Sequence, residues 1–274
     1  MRILVTNDDG IDSQGLHVLA RAVAKHGEVV VAAPDREYSG AGAALGALHL
    51  MQPEIHRVTI AGIDEAWAVN GPPALCVMFS RLGAFGAPFD LVVSGINPGA
   101  NVGRAVYHSG TDGAALTARN GGVNGIAVSQ AVKDFGVEGQ GWDEMLVDQL
   151  WESAAEVAEV VVAAMVANLP PEPIVVNLNI PNLPIAEIKG WRRTIIGAMP
   201  PRTMVSADIE PKLGHENTFY VKMNWGDALE LPPDTDGGAV ERGEVSITFL
   251  SRITGDAPTR AAVAEDALRA LLGP

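Results

Sequence analysis

The sequence predicts a three-layer α/β fold, a parallel sheet with helices packed on both faces. Over the first 130 residues, short segments that are apolar throughout alternate with segments of helical periodicity. A strand buried on both faces reads that way, because side chains pointing up and down must both be apolar. Turn-forming residues close these apolar runs, as in Asn7-Asp8-Asp9-Gly10 and Pro34-Asp35. The chain is 47% hydrophobic but only 5% aromatic, enough for a core of Val, Ala, Leu and Ile and too apolar for intrinsic disorder.

Arg2–Thr6 is the first strand, with Asn7-Asp8-Asp9-Gly10 as its turn. Leu16, Leu19, Ala20 and Val23 mark one face of a helix that stops at Gly27. Residues 28–33 form a second strand, 66–69 a third, and 72–81 a helix with proline in its first turn. Residues 91–96 are a fourth strand, 111–119 a helix and 125–129 a fifth strand. A long amphipathic helix follows, with Leu146, Leu150, Val157, Val161 and Ala164 on one face, and then a buried strand over 174–180. From Lys189 to Gly238 proline and glycine clusters replace helical periodicity. Residues 219–223 and 245–250 read as strands of an appended β region, and Pro258-Thr259 opens a last helix ending near Leu272. The layout is a Rossmann-like core over 1–188 and a C-terminal extension over 189–274, with no internal repeat.

The chain has 274 residues, 19 of them basic and 33 acidic, for a net charge of −14. Such a surface repels nucleic-acid backbones and anionic membranes, so neither is an expected partner. It does not exclude a small phosphorylated substrate, because a metal ion inverts the local field. The single cysteine, Cys76, sits among Leu75, Val77 and Met78 and reads as a packed thiol. The apolar run before Asp8 is too short for a signal peptide, and residues 151–169 are interrupted by Glu152, Glu156 and Glu159, so a cytoplasmic protein is expected.

Ligands of open parallel sheets bind beyond the carboxyl ends of the strands, and four loops there carry polar clusters. Asp8 and Asp9 converge only where the first strand ends; they either share a divalent cation or serve as capping residues of a solvated turn. Ser39-Gly40, after the second strand, offers a hydroxyl ligand and a backbone that lets N–H groups approach an anion. Asn97 and Asn101, after the fourth, supply amide oxygens to a cation or substrate, or build an Asn/Gly turn. Ser109, Gly110 and Thr111 precede a helix, where hydroxyls and N–H groups either hold phosphate or cap the helix. His108 beside them is a candidate proton donor, or a surface histidine.

Asp8, Asp9, Ser39 and Asn97 form an all-oxygen set suited to one Mg²⁺ or Mn²⁺ rather than Zn²⁺, and the six histidines show no zinc spacing. A hard cation beside a helix N-terminus suits a phosphate ester, neutralising its charge and stabilising the leaving oxygen. Other phosphate and nucleotide chemistries fit less well. A phospho-receiver needs an acceptor Asp and a Lys that Ser94-Gly95-Ile96-Asn97 and Val128-Ser129-Gln130 lack. A dinucleotide fold needs a first-turn glycine pattern, and an aspartyl phosphatase needs Asp-x-Asp.

These residues resemble the SurE family, stationary-phase survival proteins that are metal-dependent 5′/3′-nucleotidases. The carriers are residues 3–11, Ala33-Pro34-Asp35-Arg36 with Ser39-Gly40, Ser94-Gly95-Ile96-Asn97-x-Gly99-x-Asn101-x-Gly103, and Ser109-Gly110-Thr111 with Gly113-Ala114-Ala115. Ile126-Ala127-Val128-Ser129, Asn177-x-Asn179-Ile180-Pro181 and Thr235-Asp236 with Val245-Ser246-Ile247-Thr248 continue the match in order to about residue 250. The resemblance implies that Asp8, Asp9, Ser39 and Asn97 bind one divalent cation per subunit. Gly40, Asn101, Ser109, Gly110 and Thr111 are then expected to hold the phosphate of a small nucleotide. It also implies a C-terminal hairpin and helix exchanged within a homodimer or homotetramer. Leu75 stands where the family usually has Asp, Asp112 where it has Val, Glu37 where it has a neutral polar residue, and Phe249 where it has Pro. These departures keep a catalytically weak or inactive nucleotide-binding relative as the alternative.

Overall fold

The computed structural model describes residues 1–48, 50, 52–133, 144, 146–253 and 262–272. The expected opening of the last helix at Pro258-Thr259 lies outside them. Strands β1 (Arg2–Thr6), β2 (Glu28–Pro34), β3 (Ile55–Ile60), β4 (Ile63–Val69), β5 (Leu91–Pro98), β6 (Asn124–Gln130) and β7 (Val175–Ile180) build the sheet together with β8 (Trp191–Arg193) and β11 (Val245–Leu250). Its order is β3-β4-β2-β1-β5-β6-β7-β11-β8. Neighbours from β4 to β7 run parallel, as do β11 and β8, while β3 is antiparallel to β4 and β11 antiparallel to β7. The long helices are α1 (Gln14–Val23), α2 (Pro73–Arg81), α3 (Gly110–Asn120) and α4 (Trp151–Ala167), followed by α5 (Asp236–Glu241) and α6 (Ala262–Leu272).

Alternation along β1 shows why the strands are apolar throughout. Ile3 and Val5 pack with Leu16 and Leu19 of α1 and Ala154 of α4 on one face. Leu4, pointing the other way, packs with Cys76 and Val77 of α2 and Ala118 of α3. Cys76 is fully buried, and burial pushes its thiol pKa far up, leaving it a packing residue.

Four expectations change. Helix α1 ends at Val23 rather than Gly27, capped by the Ala24 N–H on the Ala20 carbonyl. Helix α4 starts at Trp151, so Leu146 and Leu150 precede it. Val157 and Val161, with Leu146 ahead of the helix, do pack against the core as expected, but the fully buried stripe is Trp151, Ala154, Ala155, Ala158 and Val162, and Ala164 is exposed. A helix this rich in Ala and Val has no single apolar face to read, and small residues win the stripe because α4 packs closely on α1, with Trp151 against Gly15. Strand β3 was not anticipated, being an edge strand with four of its six residues exposed. Strand β11, expected in an appended β region, pairs with β7 inside the main sheet. The separate pair is β9 (Met204–Pro211) with β10 (Phe219–Trp225).

The strand order reverses at β1, with β2 on one side and β5 on the other. The crevice between the carboxyl ends of β1 and β5 is therefore the topological switch point.

Candidate active site

That crevice holds most of the predicted residues, while Asp9, Gly110 and Thr111 lie behind its lining. Asp8 follows β1, Ser39 and Gly40 follow β2, Asn97 lies near the end of β5, and Ser109 caps α3. All five line one open cleft of about 1160 Å³, together with Asn101 and His108. Main-chain hydrogen bonds hold the loops in register. The Tyr38 N–H donates to the Asp8 carbonyl (2.8 Å), and the Gly42 N–H to the His108 carbonyl (3.1 Å). Asn97 reaches the cleft through a break in the β5–β6 register between Ser94 and Asn97. Gly95, with φ +135°, allows this, since a Cβ there would lie 2.2 Å from the Val128 carbonyl oxygen.

The start of α3 points at the end of β1. Thr111 donates its hydroxyl to Asp8 Oδ1 at 2.5 Å, and Ser109 Oγ accepts the Asp112 N–H at 3.0 Å. A Cβ on Gly110 would lie 2.7 Å from both the Cβ and Oδ2 of Asp8, so only glycine permits this approach. The anion at this helix N-terminus is thus first of all a protein carboxylate. Asp8 is 3% exposed; burial raises its pKa, with Thr111's hydroxyl lowering it in part.

Asp9 is held well above the usual carboxylate range by burial, then by the charges of Asp8 and Glu37. Neither of its oxygens has a hydrogen-bond partner among the described residues. Glu37 lines the cleft and accepts the Ser39 hydroxyl. Asn97 commits its Nδ2 to the Gly99 carbonyl at 2.7 Å, leaving an amide oxygen as its remaining polar atom. The donor set is two adjacent carboxylates, a hydroxyl oxygen and an amide oxygen, which fits a hard divalent cation and lacks any soft ligand.

Asn101 is differently engaged. Its Nδ2 donates to Ser129 Oγ (2.9 Å), its N–H to Asn179 Oδ1 (2.8 Å), and its carbonyl accepts from Asn177 and Asn179. It fixes the loop carrying Asn97 and uses one of its two side-chain N–H donors to do so, while it also lines the cleft. Asp112 is completely buried in the first turn of α3, its carboxylate unpartnered among the described residues, and burial, more than the charges of Asp8 and Asp236, raises its pKa well above the usual range. Leu75 packs inside α2 at 1% exposure.

Asp236 carries part of the family match, but sequence reasoning gave it no role. Its carboxylate is buried and accepts the N–H groups of Gly197 and Gly237 on Oδ1 and of Gly103 on Oδ2, each at 2.9 Å. It pins the 103–107 turn beside the cleft to the C-terminal segment. The wall that segment contributes, including Pro200, Arg202, Met204 and Trp225, was also not anticipated.

The model of the family described as Survival protein SurE matches residues 3–201. The chain belongs to the SurE family. A SurE from Pseudomonas entomophila, named 5′-nucleotidase, is 37% identical over 250 residues, covering 91% of this chain and 92% of its own. The 5′-nucleotidase SurE of Legionella pneumophila strain Paris is 34% identical over 251 residues, 91% of this chain and 90% of its own. The crystal structure of the SurE protein from Aquifex aeolicus superposes with a TM-score of 0.72 at 27% identity, covering 99% of both chains. The SurE likeness therefore extends through the C-terminal segment that closes the cleft.

Proposed function

We propose that this chain is a divalent-metal-dependent phosphomonoesterase that hydrolyses nucleoside 5′- and 3′-monophosphates. The observation that carries the reading is the Asp8–Asp9 pair at the switch point, with the Asp9 carboxylate buried and unpartnered. Two buried carboxylates side by side repel each other, and a cation between them removes that cost. The relatives named 5′-nucleotidase support the same chemistry.

Asp8, Asp9, Ser39 and Asn97 would hold one Mg²⁺ or Mn²⁺. When bound, that cation neutralises phosphate charge, makes nearby water more acidic and stabilises the leaving oxygen. Gly40 and the turn from Ser109 to Thr111 orient the phosphate against the start of α3. Thr111 keeps Asp8 in place, and Glu37, by accepting the Ser39 hydrogen, leaves the Ser39 oxygen's lone pairs for a ligand. Water attacks phosphorus as the bond to the nucleoside oxygen breaks, and His108, exposed on the cleft, gives that oxygen its proton. Exposed Ile209, Phe219 and Val221 on β9 and β10 fit a homodimer or homotetramer.

The test is phosphate release from a panel of 5′- and 3′-nucleoside monophosphates with Mg²⁺, Mn²⁺ or EDTA. Release with metal, abolished by EDTA and by Asp9→Asn, is the expected result. Absence of release from folded protein under every metal overturns it.

A further inference from the structure

The cleft extends beyond the carboxylates to a wall that carries apolar residues beside Arg202. Pro200, Pro201, Met204 and Trp225 line it, on the C-terminal segment that leads into and out of the β9–β10 pair. Along that pair Val221 faces Ile209 and Met223 faces Ala207, while Asn224 faces Ser206. Regular alternation would next set Trp225 opposite Val205 and leave Met204 on the polar face with Ser206. The register instead shifts between Asn224 and Trp225, so Trp225 lies opposite Met204, with Val205 as the extra residue. The Gly226 N–H on the Thr203 carbonyl (2.9 Å) closes the bulge. Directly opposed residues share a face, so the bulge sets Met204 and Trp225 on one face at the end of the pair, and both line the cleft.

We propose that Trp225 and Met204 form the subsite for the planar base of the substrate, an inference that rests on the nucleotidase reading. An indole ring and a thioether on one face offer a flat, polarisable, uncharged surface, which stacks on a planar nucleobase over a larger area than on a sugar and brings no charge to a phosphate. Two consecutive prolines in the same wall keep it stiff, so little order is lost when a base seats there.

The experiment compares kcat/KM for adenosine 5′-monophosphate and for ribose 5-phosphate, which carries the same phosphate and sugar without a base. Trp225→Ala and Trp225→Phe are measured beside the wild-type chain with Mn²⁺. Base stacking on an aromatic side chain predicts that Trp225→Ala lowers the ratio of the two kcat/KM values by about 5- to 150-fold. Trp225→Phe restores most of it. Equal losses on both substrates, or an unchanged ratio, overturn the subsite. If the wild-type chain releases no phosphate from either compound, the nucleotidase reading fails instead. Equilibrium dialysis of adenosine 5′-monophosphate with Mn²⁺ then decides the subsite: binding weakened in Trp225→Ala upholds it, and binding that is equal in both chains, or absent from the wild type, overturns it.

Discussion

Thr111 donates its hydroxyl hydrogen to Asp8 Oδ1 at 2.5 Å, joining the first turn of α3 to the end of β1 across 103 positions of chain. The bond is buried, so it orients the carboxylate rather than only solvating it. Thr111→Val keeps the shape and removes the donor. It is expected to lower Mn²⁺ affinity and phosphate release about 10- to 100-fold, with Thr111→Ser restoring most of both. Metal titration followed by calorimetry reads the first effect independently of turnover.

Gly110 is where α3 comes closest to Asp8. Gly110→Ala places a methyl group 2.7 Å from Asp8 Oδ2, and the carboxylate must move. Displacing a reacting group by about 1 Å costs about 100-fold in rate, so kcat/KM should fall by that order. Circular dichroism should show the fold retained. A fully active Gly110→Ala chain would contradict the placement of Asp8.

Asp112 makes a prediction about pH. Burial raises its carboxyl pKa above 3.8, its value in the unfolded chain. The folded chain therefore keeps a proton that the unfolded chain loses. Below about pH 3.8 both states are protonated and nothing is lost. As pH rises beyond that, stability falls by up to about 1.4 kcal/mol per unit until the folded-state pKa is passed. Asp112→Asn removes this contribution, so in EDTA its Tm should decline less between pH 4 and 8 than that of the wild-type chain. Identical slopes in thermal melts would refute the assignment.

Asp236 ties three main-chain N–H groups together. Asp236→Ala leaves them buried without an acceptor, an expected loss of about 3 kcal/mol or more. For a chain of this size that is about 6–12 °C in Tm. Asp236→Asn, which keeps one acceptor oxygen, should lose less, and calorimetric melting of both variants checks the order.

Much of this molecule is legible in its sequence because the signals are local. Ile3, Leu4 and Val5 are apolar in succession, which only a strand covered on both faces requires. Asn7-Asp8-Asp9-Gly10 after that strand marks the ligand end of the sheet, and the cluster Asp8, Ser39, Asn97 and Ser109 does converge on one cleft. Strands β3 and β9 escaped notice because they are largely solvent-exposed, so their residues carry no continuous apolar run. Asp112 and Thr111 are adjacent in sequence, yet one hydrogen-bonds Asp8 and the other is buried without a partner among the described residues.

By itself, then, the sequence determined the layered α/β architecture and the loops that carry chemistry, since hydrophobic periodicity and turn residues act within a few positions of each other. The tertiary structure alone decided which strands neighbour one another, including the seating of β11 beside β7. It also decided that Thr111's hydroxyl serves Asp8, that Asp236 anchors the turn at Gly103, and that Trp225 stands with Met204 on the cleft. Each of these pairings joins segments separated along the chain or depends on a one-residue shift of register. Their free energy comes from burial and geometry that exist only once the chain has folded.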